Sequence, residues 1–121
     1  MVWYLCTTYK IVMDQAYKTC IDACLECAAA CDHCAASCLR EVDVNQMAKC
    51  IRLDMECAAI CRTAAQLMSI ESDYANAVCQ LCADVCNACA SECKKHDMDH
   101  CQKCAWACSN CAEECASMIA A

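Results

Sequence analysis

Cys20, Cys24, Cys27, Cys31, Cys34 and Cys38 follow one another in steps of four, three, four, three and four residues. That alternation is the a/d seam of a heptad repeat, the set of positions that faces inward when helices pack side by side. An ordinary bundle fills those positions with Leu, Ile or Val. Here all six are thiols, so the stretch predicts a helix whose inward stripe is sulfur.

The pattern recurs along the chain. Asp14 reads as an N-cap, which predicts a first helix from there to about Arg40 with Ala-rich outer faces. Asp43-x-x-Gln46 has the form of a capping box for a second helix running to about Met68. The seam of that helix is Met47, Cys50, Asp54, Cys57, Cys61, Ala64 or Ala65, and Met68. Ser72 caps a third helix, about residues 73–95, with Ala75, Cys79, Cys82, Cys86, Cys89 and Cys93 on its seam and His96 just beyond. Val78, Leu81 and Val85 lie beside that seam as ordinary hydrophobic packing. Asp97 or Asp99 caps a fourth helix, whose seam is Cys101, Cys104, Cys108, Cys111, Cys115 and Met118.

The chain has 121 residues, enough for one small domain, and contains neither Gly nor Pro. Tight turns and hairpins lack their usual residues, and nothing interrupts a helix. Four helices of similar length joined by short links assemble most simply as an all-α, up-down-up-down antiparallel four-helix bundle with a Cys-lined core. One end then collects Met47, His96, Met98 and His100, and the other Met68 and Met118. Off the seam, Ile51, Leu53, Met55 and Ile60 leave apolar surface that points to oligomerisation. His33 and Trp106 read as outer-face residues. Residues 1–13 depart from the pattern: they form an N-terminal extension ahead of a bundle domain at 14–121, as a helical extension, a packing arm or a stretch upstream of a natural start at Met13. Cys6 lies two heptads before Cys20 and could extend the seam.

The missing glycines exclude a P-loop and a dinucleotide-binding fingerprint, both of which bring a phosphate against bare backbone. The net charge is −7 and no basic stripe is present, which argues against a nucleic-acid partner. No apolar run is long enough to span a membrane. Twenty cysteines would suit a secreted disulfide scaffold. Against that, the N-terminus lacks the form of a secretory signal. Moreover, neighbours at i,i+3 and i,i+4 on a helix have Cβ atoms about 5–6 Å apart, whereas a disulfide needs about 3.8 Å. The expectation is a cytoplasmic protein with reduced thiols.

Eight C-x-x-x-C pairs can be drawn along the seams, leaving Cys6, Cys50, Cys79 and Cys101. A sulfur–metal–sulfur bridge spans at most about 4.6 Å, which two thiolates one helical turn apart can meet by rotamer choice. Soft thiolates select Cu(I), Zn(II) or iron–sulfur clusters. A ladder with a thiol every half heptad is not expected to divide into isolated Zn(Cys)₄ tetrahedra, each of which also carries about −2. One Cu(I) per thiolate is neutral and can be buried. Iron–sulfur clusters use loop spacings that are absent here. Cysteines as small buried hydrophobes, or one Cys–His nucleophile, do not require such an array. Asp54 has two readings: a carboxylate paired with Arg52 or Arg62, or an oxygen ligand or proton acceptor beside the metal path.

The segments C-I-R-L-D-M-E-C-A-A-I-C (50–61), C-D-H-C (31–34), L-C-A-D-V-C-N-A-C (81–89) and K-H-D-M-D-H-C-Q-K-C (95–104) resemble the cytosolic branch of the bacterial copper storage proteins. The likeness covers about residues 14–119. It implies storage of many Cu(I) ions per chain without catalysis, a homotetramer, and a copper mouth at the end holding the helix 1–2 and 3–4 links. Asp54 and His100 fall on family positions near that mouth, with His96 close by. The rival expectation is a thiolate-rich buffer or detoxifier of Zn(II) or Cd(II). Copper donor and acceptor are not legible.

Overall fold

A chain without Gly or Pro offers little to interrupt a helix, and the first helix begins well before Asp14. The structure is a computed structural model describing residues 2–120, with side chains for residue 15 and residues 17–119. Helix α1 spans Val2–Cys38, α2 Ala48–Ser69, α3 Ala75–Cys93 and α4 Asp99–Ala120, with a single 3₁₀ turn at Val44–Met47 before α2. Position 14 is therefore interior to α1 and is not its start. Cys6 belongs to the stretch whose side chains lie outside the described residues.

The four helices pack in a ring, α1 against α2, α2 against α3, α3 against α4, and α4 back against α1. Sulfur pairs record the antiparallel register. Cys20 meets Cys115 and Cys34 meets Cys101 between α1 and α4. Cys61 meets Cys82 and Cys50 meets Cys93 between α2 and α3.

The links between helices differ in detail from the expected caps. The Asp43 side chain makes no capping hydrogen bond, and the capping-box residues are drawn into the 3₁₀ turn instead. There the Gln46 amide donates to the Asp43 carbonyl. The Ser72 hydroxyl does accept from the Tyr74 amide, but it lies two residues before Tyr74, which holds the N-cap position of α3. The end of α2 is a Schellman motif. The Ser72 amide donates to the Leu67 carbonyl and the Glu71 amide to the Met68 carbonyl, while Glu71 sits at φ 54°. Gly normally takes that left-handed position, and this chain uses a glutamate.

Among the described residues the buried apolar side chains are all Cys, Ala or Met. Interdigitation is thus achieved with small groups, with Ala28, Ala58, Ala64, Ala65, Ala75 and Ala105 filling positions between the sulfurs. The bulkier residues sit outside. Val78 and Val85 lean against the core, as expected of a shoulder. Leu81 does not, and is 52% exposed. Trp106 is 63% exposed and His33 is also on the surface. Ile51, Leu53 and Ile60 are partly covered, and Met55 is open to solvent. No described helix is long and apolar enough to cross a membrane.

Candidate metal-binding core

Because the seam positions of all four helices point inward, their thiols share one interior. Nineteen cysteines are free and buried there, each with at most 1% of its surface exposed. They form a nearly continuous column. From the far end, Cys20 lies 3.6 Å from Cys115, Cys24 3.6 Å from Cys111, and Cys61 3.6 Å from Cys86. The column continues through Cys57–Cys86 at 3.5 Å, Cys27–Cys57 at 3.7 Å and Cys31–Cys108 at 3.6 Å. Neighbours on one helix, such as Cys34–Cys38 and Cys89–Cys93, are 3.9 Å apart. Three sulfurs about 2.3 Å from one metal would stand about 4.0 Å from each other. The observed spacing therefore suits shared, low-coordinate sites with small rotamer changes.

The sulfurs also fall into quartets, contrary to the expectation from the heptad ladder. Cys24, Cys82, Cys111 and Cys115 form one; Cys27, Cys57, Cys61 and Cys86 another; Cys31, Cys89, Cys104 and Cys108 a third; Cys34, Cys38, Cys50 and Cys101 a fourth. These four share no member. Heptad spacing does not reveal them, because each quartet draws on more than one helix. Overlapping quartets exist as well: Cys27, Cys31, Cys57 and Cys108 also lie together. Spacing alone thus accommodates tetrahedral sites, and charge must discriminate. Four Zn(Cys)₄ units would bury about −8. Among the described residues the buried polar side chains are Asp54 and Glu92, so none of them is a buried cation that could offset that charge.

Asp54 sits where the column steps from the Cys104 level to the Cys50 and Cys93 level. It is fully buried and meets no arginine: Arg62 pairs with Asp32 across the α1–α2 surface, and Arg52 is exposed. Its partners are thiols. Cys89 donates to Oδ1 at 3.2 Å, Cys104 at 3.3 Å and Cys93 at 3.6 Å, while Cys50 donates to Oδ2 at 3.8 Å. Burial, with the neighbouring Cys104 sulfur adding to it, pushes the carboxyl up to about 8. The ion-pair reading of Asp54 is therefore replaced by one of an uncharged acid held by sulfur at mildly acidic pH.

The two histidines expected at the mouth are placed differently. His100, at the start of α4, aims Nδ1 at Cys34 and Cys101, each at 3.5 Å, and at Cys38 at 4.0 Å. Burial raises the Cys38 thiol well above its ordinary range and the Cys101 thiol to about 11. These thiols are protonated at neutral pH, so a metal must displace protons to bind them. His96 instead turns Nε2 to Glu92 at 2.8 Å and hydrogen-bonds none of the described thiols. Glu92 is buried, yet the His96 hydrogen bond and the nearby Lys95 charge outweigh desolvation and hold its carboxyl below the ordinary range. Sequence reading passed over Glu92, although its i,i+4 spacing to His96 is a legible signal. It also passed over Glu41, which accepts from His100 Nε2 at 2.9 Å and lies too far away in the chain to leave any local mark.

With this geometry in view, the likeness to known proteins can be weighed. The copper storage protein (Csp) family profile matches residues 13–120. An uncharacterised cysteine-rich protein of Bacillus subtilis, YhjQ, is 51% identical over 88 residues, covering 73% of this chain and 82% of that protein. The Cu(I)-bound copper storage protein BsCsp3, whose apo form comes from Bacillus subtilis, superposes with a TM-score of 0.83 at 50% identity, covering 86% of this chain and 98% of that one. A cytosolic copper storage protein from Streptomyces lividans, solved with five coppers, superposes with a TM-score of 0.88 at 42% identity, covering 91% and 97% of the two chains. Profile, identity and fold agree with the sulfur-lined interior, and the chain belongs to the copper storage protein family.

Proposed function

We propose that this protein stores Cu(I), many ions per chain, on the thiolates lining its bundle. The observation that carries the reading is the nearly continuous column of nineteen buried, reduced thiols, with no buried cation among the described residues. Each Cu(I) that replaces a thiol proton leaves the core neutral, so loading proceeds without building up buried charge. The ligands on this reading are Cys20, Cys24, Cys27, Cys31, Cys34, Cys38, Cys50, Cys57, Cys61, Cys79, Cys82, Cys86, Cys89, Cys93, Cys101, Cys104, Cys108, Cys111 and Cys115. His100 serves at the mouth, and Asp54 is an oxygen neighbour inside. His96 is a rim residue that can reach the site only by releasing Glu92. Family membership supports storage without catalytic turnover, a cytoplasmic location and a homotetramer in which Met55, Leu81 and Trp106 supply apolar contact area.

The disjoint quartets favour a second reading, Zn(II) or Cd(II) buffering, and the uncompensated charge of such sites weighs against it. One experiment separates the two. Reduced protein is titrated anaerobically with Cu(I) against a chromophoric Cu(I) chelator, and in parallel with Zn(II). Storage requires uptake of ten or more Cu(I) before the chelator responds, with protons released as copper binds. Saturation at one or two Cu(I), or four tightly held Zn(II) that Cu(I) does not displace, would overturn the proposal.

A further inference from the structure

The mouth of the bundle is built from parts that sequence leaves far apart. His100 lies on α4, Cys34 and Cys38 on α1, and Glu41 in the link that follows α1. The Glu41 amide donates to the Cys38 carbonyl at 3.1 Å, so Glu41 is tied to the same helix end that carries the two thiols. Its Oε1 lies 2.9 Å from His100 Nε2. The side chains of His100 and Glu41 are 14% and 31% exposed, so the pair is partly shielded from water.

We propose that Glu41 is the positioning residue for His100, and that it fixes the imidazole in the tautomer whose bare Nδ1 faces Cys34, Cys38 and Cys101. An ionised carboxylate can only accept a hydrogen bond. At 2.9 Å the Nε2 atom must therefore carry the proton, since two lone pairs would otherwise face each other. In the neutral ring Nδ1 is then unprotonated, and it is Nδ1 that points at the three thiols. A carboxylate of this kind orients a ligating histidine and raises its basicity. His96 has a comparable carboxylate partner in Glu92 but hydrogen-bonds none of the described thiols, so among the described residues the pairing at Glu41 is the one that joins a histidine to the sulfur column.

The consequence concerns how copper crosses the mouth, and it rests on the Cu(I) storage reading. A bare imidazole nitrogen takes up Cu(I) without losing a proton, whereas a thiol must lose one. Cu(I) released by its carrier binds Nδ1 first. It then moves to Cys34 or Cys101 as that S–H proton leaves to solvent, so one Cu(I) is gained and one proton lost. Glu41 acts on the rate of this step and not on the capacity of the core.

The test compares wild type with Glu41→Gln and Glu41→Lys, each also in a His100→Ala background. A lysine ammonium at position 41 donates to Nε2 and forces the proton onto Nδ1, inverting the tautomer. Glu41 lies in a link, outside the helices, so both variants are expected to fold. Three quantities are measured: total Cu(I) capacity, the initial rate of uptake from the bicinchoninate complex of Cu(I), and the His100 tautomer by long-range ¹⁵N–¹H correlation in copper-free protein. We expect Nε2 to be protonated in wild type and Nδ1 in Glu41→Lys. Uptake by Glu41→Lys is expected to be about 10-fold to 100-fold slower at unchanged capacity, with a smaller loss in Glu41→Gln. In the His100→Ala background the changes at Glu41 should have no further effect. Unchanged rates in both variants, an equal slowing without His100, or an Nδ1 proton in wild type would each overturn the role of Glu41 while leaving storage intact. A wild-type capacity of one or two ions would overturn the storage reading itself, and the copper step with it.

Discussion

Replacing Asp54 with asparagine should abolish most of the pH dependence of the copper-free bundle between pH 5 and pH 8. The carboxyl is raised from 3.8 to about 8 by burial, so in this window the folded state holds a proton that the unfolded state has released. Stability then falls as pH rises, by up to about 1.4 kcal/mol per pH unit, and levels off once the folded carboxyl ionises. Across the whole shift the loss is on the order of 5 kcal/mol, comparable to the entire stability of a marginal domain. Asparagine keeps an Oδ1 acceptor for Cys89 and Cys104 and has no charge to bury. Its replacement of the carboxyl should cost about 1 kcal/mol at pH 5. Urea unfolding of reduced protein, followed by far-ultraviolet circular dichroism at half-unit steps of pH, measures both curves. Wild type should be the more stable at pH 5 and the variant at pH 8, with the two profiles crossing between. Parallel profiles would refute the reasoning, since they would mean that Asp54 is not protonated in the folded state.

Three further outcomes follow from the same core. Loading with Cu(I) should raise the anaerobic melting temperature by more than about 15 °C, because a single ion at a thousand times its Kd already contributes about 4 kcal/mol and many are bound; calorimetry with and without copper decides this, and equal melting temperatures would refute it. Cys108→Ala removes a sulfur that touches Cys27, Cys31 and Cys104. It should cost about 1 kcal/mol through the small void and lower Cu(I) capacity by one or two ions, whereas an unchanged capacity or a collapse to near zero would contradict a shared column. Glu71→Gly relieves a left-handed backbone position at the end of α2 and should stabilise the protein by up to about 1 kcal/mol in urea unfolding; a destabilised variant would show that the side chain, not the backbone, matters there.

The sequence by itself determined the helices and their buried faces. Seam positions recur with the helical period, and period is a local property of the backbone. That is why each seam thiol from Cys20 to Cys115 is buried, and why His33 and Trp106 lie outside. Helix ends were less legible. Asp14 looked like a cap, yet nothing around it stops a helix, and the capping-box residues at Asp43 settled into a 3₁₀ turn. Tertiary structure alone decided who meets whom. The quartets depend on the register between helices, which no single seam encodes. Asp54 found thiols instead of arginine because its face of α2 points inward, while Arg62 points out to Asp32. His100 joined the sulfur and His96 did not, although both lie at the same end of the bundle. Periodicity settles which face of a helix is buried, but the partner across the interface is set by axial offset and rotation between helices, and those emerge only when all four pack together.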